Sequence, residues 1–361
     1  MLDASRICFY CMGDLPSSNG VCRLCGRDNS VRQNGNDELP YALLAKKYIV
    51  GHSLGRGGFG VTYIGKNIRI GKQVAIKEYF PADISHRAPG QMNIVPIKPE
   101  DEKQFEEGKS KALDEARTIA LTNGDPNVVR IYDCFSRNNT VYIIMEYIEG
   151  KNLANLIERD GRMHWNQAWE YMKPIAASLE ALHRQNLVHR DISPDNIMIR
   201  QLDEKAVLLD FGAAIARQSG DTAHSKLFKD GYAAPEQYQD RSVIDGRTDE
   251  YAWSATLYYL LTGVRPPKPS QRKFDEKAMK TPRQLRSDIP KKMEEIMIKA
   301  MSLNADDRYA SMGDMLIAFD SVDQGGKSGR RTSPGGGRKL LIALLALMMG
   351  LGIAAIACGL A

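Results

Sequence analysis

The stretch HRDISPDN at 189–196, followed by DFG at 210–212, decides how this 361-residue chain is read. Between them AVLLD at 206–210 reads as a strand, so two short polar loops are joined through an apolar connector. Asp191 and Asn196 lie in the first loop and Asp210 opens the second. Such a set offers a carboxylate to accept a proton and hard oxygen atoms to hold a divalent cation. One tripeptide of this kind says little, whereas an ordered series along the chain says much more.

Working outward, that series is present. Upstream, YIVGHSLGRGGFGVTYIGK carries Gly55-x-Gly57-x-x-Gly60 between two alternating apolar runs, which predicts strand, glycine turn and strand. A dinucleotide-binding turn would want a helix straight after the glycines, but VTYIGK and then QVAIKEYF look like strands. VAIK at 74–77 ends in Lys77. Residues 81–99 hold four prolines without helical period and read as an insertion of unassigned purpose. A helix is expected over 100–122, with Phe105, Leu113, Ile119 and Ala120 recurring at helical spacing. NVVRIYDCF and TVYIIMEYIEG predict a hairpin, and 152–160 and 165–185 have helical character.

In this order the motifs resemble the protein kinases, specifically the bacterial eukaryotic-type (Hanks-type) Ser/Thr class, across about residues 46–320. The resemblance implies an α+β, two-lobed protein-kinase fold with a small, mostly β N-lobe and a larger helical C-lobe. It implies ATP and Mg2+ as cofactors. Asp191 would orient the substrate hydroxyl and accept its proton, Asn196 and Asp210 would hold magnesium, and Lys77 would grip the nucleotide phosphates. Glu115 is the candidate ion-pair partner of Lys77, with Glu106, Glu107 and Asp114 as rivals. Gly55, Arg56, Gly57, Gly58, Phe59 and Gly60 would cover the phosphates. Thr62, Ala75, Met145, Glu146, Ile148 and Met198 would surround the base, with Met145 as gatekeeper and Glu146 in the hinge. His189 and Phe211 would pack rather than exchange protons. Asp249 would brace the catalytic loop, and Arg308 would pair with Glu236.

Two departures stand out. The family's Ser/Thr members usually carry lysine two residues after the catalytic aspartate, where this chain has Ser193. Counting back from Ala234-Pro235-Glu236, a position commonly held by threonine is Lys229, whose flexible stem would reach the space left by the missing lysine. The bland alternative is a solvated loop residue. Arg190 beside Asp191 suggests control by phosphorylation of Ser219, Thr222 or Ser225.

The flanks carry separate signals. Four of six cysteines fall in Cys8-x2-Cys11 and Cys22-x2-Cys25, within the first 28 residues. This spacing resembles a short zinc ribbon, with structural Zn2+ held by four thiolates; a redox pair or two loose disulfides is the alternative. So small a knot has almost no core of its own, so the metal would supply most of its folding energy. Few basic or aromatic residues surround it, which favours a tether or protein-docking role over nucleic-acid reading, and a net charge of +5 is too weak to argue otherwise. Residues 29–45 read as a polar linker, and 321–339 as a basic Gly/Ser linker. The uncharged run LLIALLALMMGLGIAAIACGLA at 340–361 is long enough, at about 33 Å of helix, to span a bilayer core of about 30 Å. Basic residues on its N-terminal flank predict a single-pass cell-membrane anchor with the kinase region facing the cytoplasm. No basic region followed by an apolar run opens the chain, so no N-terminal signal peptide is expected.

The reading is thus a membrane-anchored kinase acting on Ser/Thr hydroxyls of proteins and on itself. The alternative is a pseudokinase or nucleotide-binding scaffold or adaptor, for which Ser193 is the main argument.

Overall fold

In the computed structural model the described residues are 6–16, 20–31, 34–35, 37–58, 60–121, 124–210, 229–239 and 242–327. The alternating apolar runs form an antiparallel sheet. It comprises β1 (Ala42–Leu44), β2 (Tyr48–Gly57), β3 (Gly60–Asn67), β4 (Lys72–Tyr79), β7 (Ile131–Arg137) and β8 (Thr140–Glu146), in the order β1-β2-β3-β4-β8-β7. Between β4 and β8 in sequence come a two-residue ladder, β5 (Ser85–His86) with β6 (Val95–Pro96), and the helix α1 (Asp101–Ala120). The buried stripe of α1 runs through Phe105, Ala112, Ala116 and Ile119 rather than Leu113, one step round from the expected face. Tyr48, Tyr63, Ile76, Phe80, Phe105 and Tyr142 are among the residues filling the core between helix and sheet.

The helical half follows β9 (Gly150–Asn152): α2 (Leu153–Asp160), α3 (Trp165–His183), the hairpin β10 (Ile197–Arg200) and β11 (Ala206–Leu208), α4 (Gly246–Thr262), short α5 (Pro269–Phe274) and α6 (Pro282–Leu285), α7 (Lys291–Ala300) and α8 (Met312–Lys327). Helix α4 is buried almost all round. Asp245 caps its start by accepting the Arg247 N–H, and Gly263 ends it in a left-handed conformation. Trp169 and Phe319 pack on its Trp253.

The polar segments read as linker and insertion are built into the sheet. Within 29–45, strand β1 pairs with β2, and the buried Asn34 amide donates to Leu39 and Gly51 carbonyls while accepting the Ser53 N–H. Within 81–99, Arg87 is buried and pairs with Glu78 of β4. Hydrophobicity alone hides such segments, because polar side chains are buried where they satisfy backbone groups and charges.

The cysteine knot is likewise no free-standing module. Ile7 and Met12 pack on Ile49 of β2 and Ile64 of β3, so the knot borrows its core from the sheet. The Phe9 carbonyl accepts the His52 N–H at 2.8 Å. A Cβ on Gly51 would come within 2.4 Å of that carbonyl, so only glycine permits this approach. Among the described residues no helix is long and apolar enough to cross a membrane; residues 340–361 lie outside them.

Candidate active site

Register places the upper half of the site. Lys77 lies opposite Thr62 on β3 and Ile143 on β8, and Ala75 lies opposite Met145. Directly opposed residues share a sheet face, so Thr62, Ala75, Lys77 and Met145 all look the same way. Met145, Ile148 and Met198 join one apolar cluster with Val129, Val207 and Leu209, the apolar floor that a flat base needs. Glu146 turns its carboxylate to Arg200, 3.4 Å away, so the hinge offers backbone rather than this side chain. Gly55, Arg56 and Gly57 end β2, Gly58 turns, and Gly60 opens β3; Phe59 lies outside the described residues. Arg56 is held by Asp37 at 2.7 Å, a tether that no motif announces.

The expected Lys77–Glu115 ion pair is not formed. Lys77 pairs instead with Asp210, while Glu115 is half-buried and its buried Oε2 has no hydrogen-bond partner among the described residues. Burial pushes the Glu115 carboxyl well above its ordinary range, and Lys77 offsets this only in part. Two carboxylates compete for one ammonium, and Asp210 wins: against the desolvation of its surroundings, Lys77 holds it below the usual carboxylate range.

The lower half is an ordered loop. Asp249, fully buried on α4, accepts the backbone N–H groups of His189 and Arg190, both at 2.8 Å, and contacts the His183 ring at 2.7 Å. This brace holds Arg190 at φ 66°, and Asp210 stands at φ 57°; both are costly for side-chain-bearing residues and occur together here at the site. The buried His189 ring lies 2.9 Å from the Leu209 carbonyl, joining the two loops. Asn196 donates its amide N–H to the Asp191 carboxylate at 2.8 Å and to its carbonyl at 2.7 Å. Burial raises the Asp191 carboxyl to about 6, against the pull of a nearby cation, Lys229. Asp210 and Asn196 supply a carboxylate and an amide oxygen beside each other's loops, hard donors that suit magnesium.

Lys229 reaches this loop. Its ammonium lies 2.8 Å from Ser193 Oγ and 3.0 Å from Asn196 Oδ1, with Asp195 and Asp191 carboxylates at 3.7 and 3.9 Å. Gln237 bridges its own segment to the Arg190 carbonyl at 2.8 Å, a contact for which the sequence carries no signal. Glu236 and Arg308 form a bidentate pair at 2.7 and 2.9 Å. Phe211, Gly212, Ser219, Thr222 and Ser225 lie outside the described residues.

The four knot cysteines converge, their sulfurs all within 4.8 Å of one another. Cys8 and Cys25 sulfurs are 3.7 Å apart and those of Cys11 and Cys22 3.6 Å, close to the about 3.8 Å edge of a tetrahedron with metal–sulfur bonds of about 2.3 Å. Burial opposes a Cys22 thiolate, but backbone N–H groups of Cys25 and Leu24 outweigh it and bring its pKa to about 7.

A glycine-turned sheet over a braced Asp/Asn loop and a cation-paired second aspartate defines a phosphate-handling, two-lobed enzyme class. The chain belongs to the protein kinase domain family, which matches residues 48–316. It is 30% identical to a probable serine/threonine-protein kinase of Clostridium acetobutylicum over 78% of this chain and 40% of that one. It is 28% identical to serine/threonine-protein kinase B of Synechocystis over 84% of this chain and 49% of the relative. The chain thus spans less than half the length of these two curated relatives. Among solved structures, apo PpkA superposes with a TM-score of 0.68 at 26% identity, covering 78% of this chain and 99% of that one. The kinase domain of Mycobacterium tuberculosis PknI, at 20% identity and a TM-score of 0.58, shares the fold; that match covers 79% of this chain and 98% of the PknI chain.

Proposed function

We propose that this chain is an ATP-dependent protein kinase that phosphorylates serine or threonine hydroxyls. The observation that carries the reading is that Lys77 pairs with Asp210 while Asp191, within electrostatic reach of both, is held by Asn196 on the braced loop. Lys77 faces the phosphates from β4, and Asp191, held by Asn196, orients the attacking hydroxyl and takes its proton. Magnesium, carried with ATP and held by Asn196 and Asp210, would neutralise phosphate charge. The relatives' names and the Pro194-Asp195-Asn196 ending support hydroxyl rather than phenol substrates. The four-cysteine knot would hold structural zinc and stiffen β2 just before Gly55, and 340–361 would anchor the kinase to the cell membrane from its cytoplasmic side.

The test uses the full-length chain with magnesium and γ-labelled ATP, beside Asp210→Ala. Label on phosphoserine or phosphothreonine in the wild type alone supports the reading; equal label in both chains, or none in either, refutes it. Metal analysis should return one zinc per chain.

A further inference from the structure

The catalytic loop contains a cation that it does not itself supply. Lys229 comes from a segment 36 positions after Ser193, yet its ammonium sits against that hydroxyl and against Asn196 Oδ1. The root of the side chain is fixed: the Lys229 carbonyl accepts the N–H groups of Tyr232 and Ala233 at 3.0 and 3.1 Å. Gln237 accepts the Ala234 N–H and donates to the Arg190 carbonyl, latching the segment to the loop. Ser193 is fully buried, so its hydroxyl has no bulk water to serve and acts as a dedicated acceptor for Lys229. An ammonium has three donors. Two are taken by Ser193 and Asn196, while the Asp195 and Asp191 carboxylates stand beyond hydrogen-bond distance at 3.7 and 3.9 Å, so the third can turn to a phosphoryl oxygen beside Asp191.

We infer that Lys229 is a catalytic residue, the cation that contacts the phosphoryl group in transit, and that Ser193 is its docking acceptor. The inference rests on the kinase reading above. In the step, the substrate hydroxyl oxygen bonds to the γ-phosphorus while the bond from that phosphorus to the β–γ bridging oxygen breaks. ADP leaves with the electron pair of the broken bond, and the hydroxyl proton passes to Asp191. Lys229 forms no covalent bond; anchored on Ser193, it donates a hydrogen bond to a phosphoryl oxygen whose charge is redistributed, leaving the Asn196 amide oxygen to magnesium. A lysine at position 193 would send its ammonium past the point where Ser193 Oγ now stands, on a flexible stem of its own. One cation beside Asp191 could therefore be delivered from position 193 or from position 229.

That equivalence gives the test. In the full-length chain, kcat on a serine/threonine peptide, the Kd for a fluorescent ATP analogue and the melting temperature are measured for Lys229→Met and for the exchange Ser193→Lys/Lys229→Thr. Lys229→Met should lose about 10²-fold in kcat, with nucleotide Kd within about threefold of wild type and an unchanged melting temperature. The exchange variant should recover at least about tenfold of that loss. Three results overturn the inference: Lys229→Met turning over within about twofold of wild type; a loss that comes with failed nucleotide binding or a lowered melting temperature, which marks a structural latch; or an exchange variant no faster than Lys229→Met. A wild-type chain that transfers no more phosphate than Asp210→Ala refutes the kinase reading instead, which keeps the two failures distinct.

Discussion

Arg87→Ala should be among the most damaging single changes in the sheet lobe, although Arg87 lies in the segment that carries no motif. Arg87 and Glu78 are both 0% exposed. The guanidinium meets the carboxylate at 2.5 and 3.1 Å, and spends two further donors on the Met92 and Asp37 carbonyls at 3.2 and 3.1 Å. Tyr63 adds a hydrogen bond to Glu78 at 3.1 Å. Burial already holds the Glu78 carboxyl above its ordinary value, with Arg87 as the main opposing influence. Removing Arg87 leaves a buried carboxylate unpaired, a change that costs about 3–5 kcal/mol. For a domain of this size that is a drop in melting temperature of roughly 6–20 °C. The sign with pH follows. Without Arg87 the folded state holds a proton on Glu78 that the unfolded chain releases, so the variant is least impaired in acid and worsens as pH rises past the ordinary carboxylate range. Glu78 adjoins Lys77, and the Asp37 carboxylate holds Arg56, so ATP binding should weaken as well. Thermal melting by circular dichroism across pH, on wild type, Arg87→Ala and Glu78→Gln/Arg87→Ala, checks the reasoning. The double variant should be clearly more stable than Arg87→Ala; equal melting of Arg87→Ala and wild type, or a double variant worse than the single, would refute it.

Glu250 is fully buried, with Oε2 accepting the Tyr309 N–H at 3.2 Å and no hydrogen-bond partner for Oε1 among the described residues, and burial raises its carboxyl to about 8. A raised folded-state value means stability is full below the ordinary 4.5 and is lost as pH climbs toward 8, by about 5 kcal/mol at most. Glu250→Gln should remove that slope, so its melting temperature gains on wild type at alkaline pH; parallel pH curves would dismiss the assignment. Stripping metal from the reduced chain with a strong chelator should lower the melting temperature and raise the ATP Kd about fivefold or more, because the knot clasps β2 through Phe9 and Met12. Unchanged nucleotide affinity after verified metal loss would mean the knot is not coupled to the site.

What the sequence made legible were features encoded locally: the glycine turn, the strand carrying Lys77, the loop of Asp191 and Asn196, and the paired cysteines. Counting back along an ungapped segment singled out Lys229 but left contact with the catalytic loop and a solvated position equally open; the fold supplies the contact. The roles of Arg87, Asn34 and Asp37 were not legible, because each depends on partners brought close only by folding: Glu78, Gly51 and Arg56. Polar composition argued for linker and insertion, while the side chains were engaged in satisfying buried backbone and charge. The Lys77 partner was misread for a related reason. Helical spacing placed Glu115 on the inner face, but the choice between two neighbouring carboxylates is set by distance and desolvation, which spacing does not encode.

The measurement that tests the central claim most directly is single-turnover phosphate transfer by Asp191→Ala, with nucleotide binding followed in parallel. If Asp191 orients and deprotonates the attacking hydroxyl, the variant binds ATP as wild type does and transfers phosphate at least about 10²-fold more slowly. An Asp191→Ala chain that transfers at the wild-type rate would place the chemistry elsewhere and contradict the account.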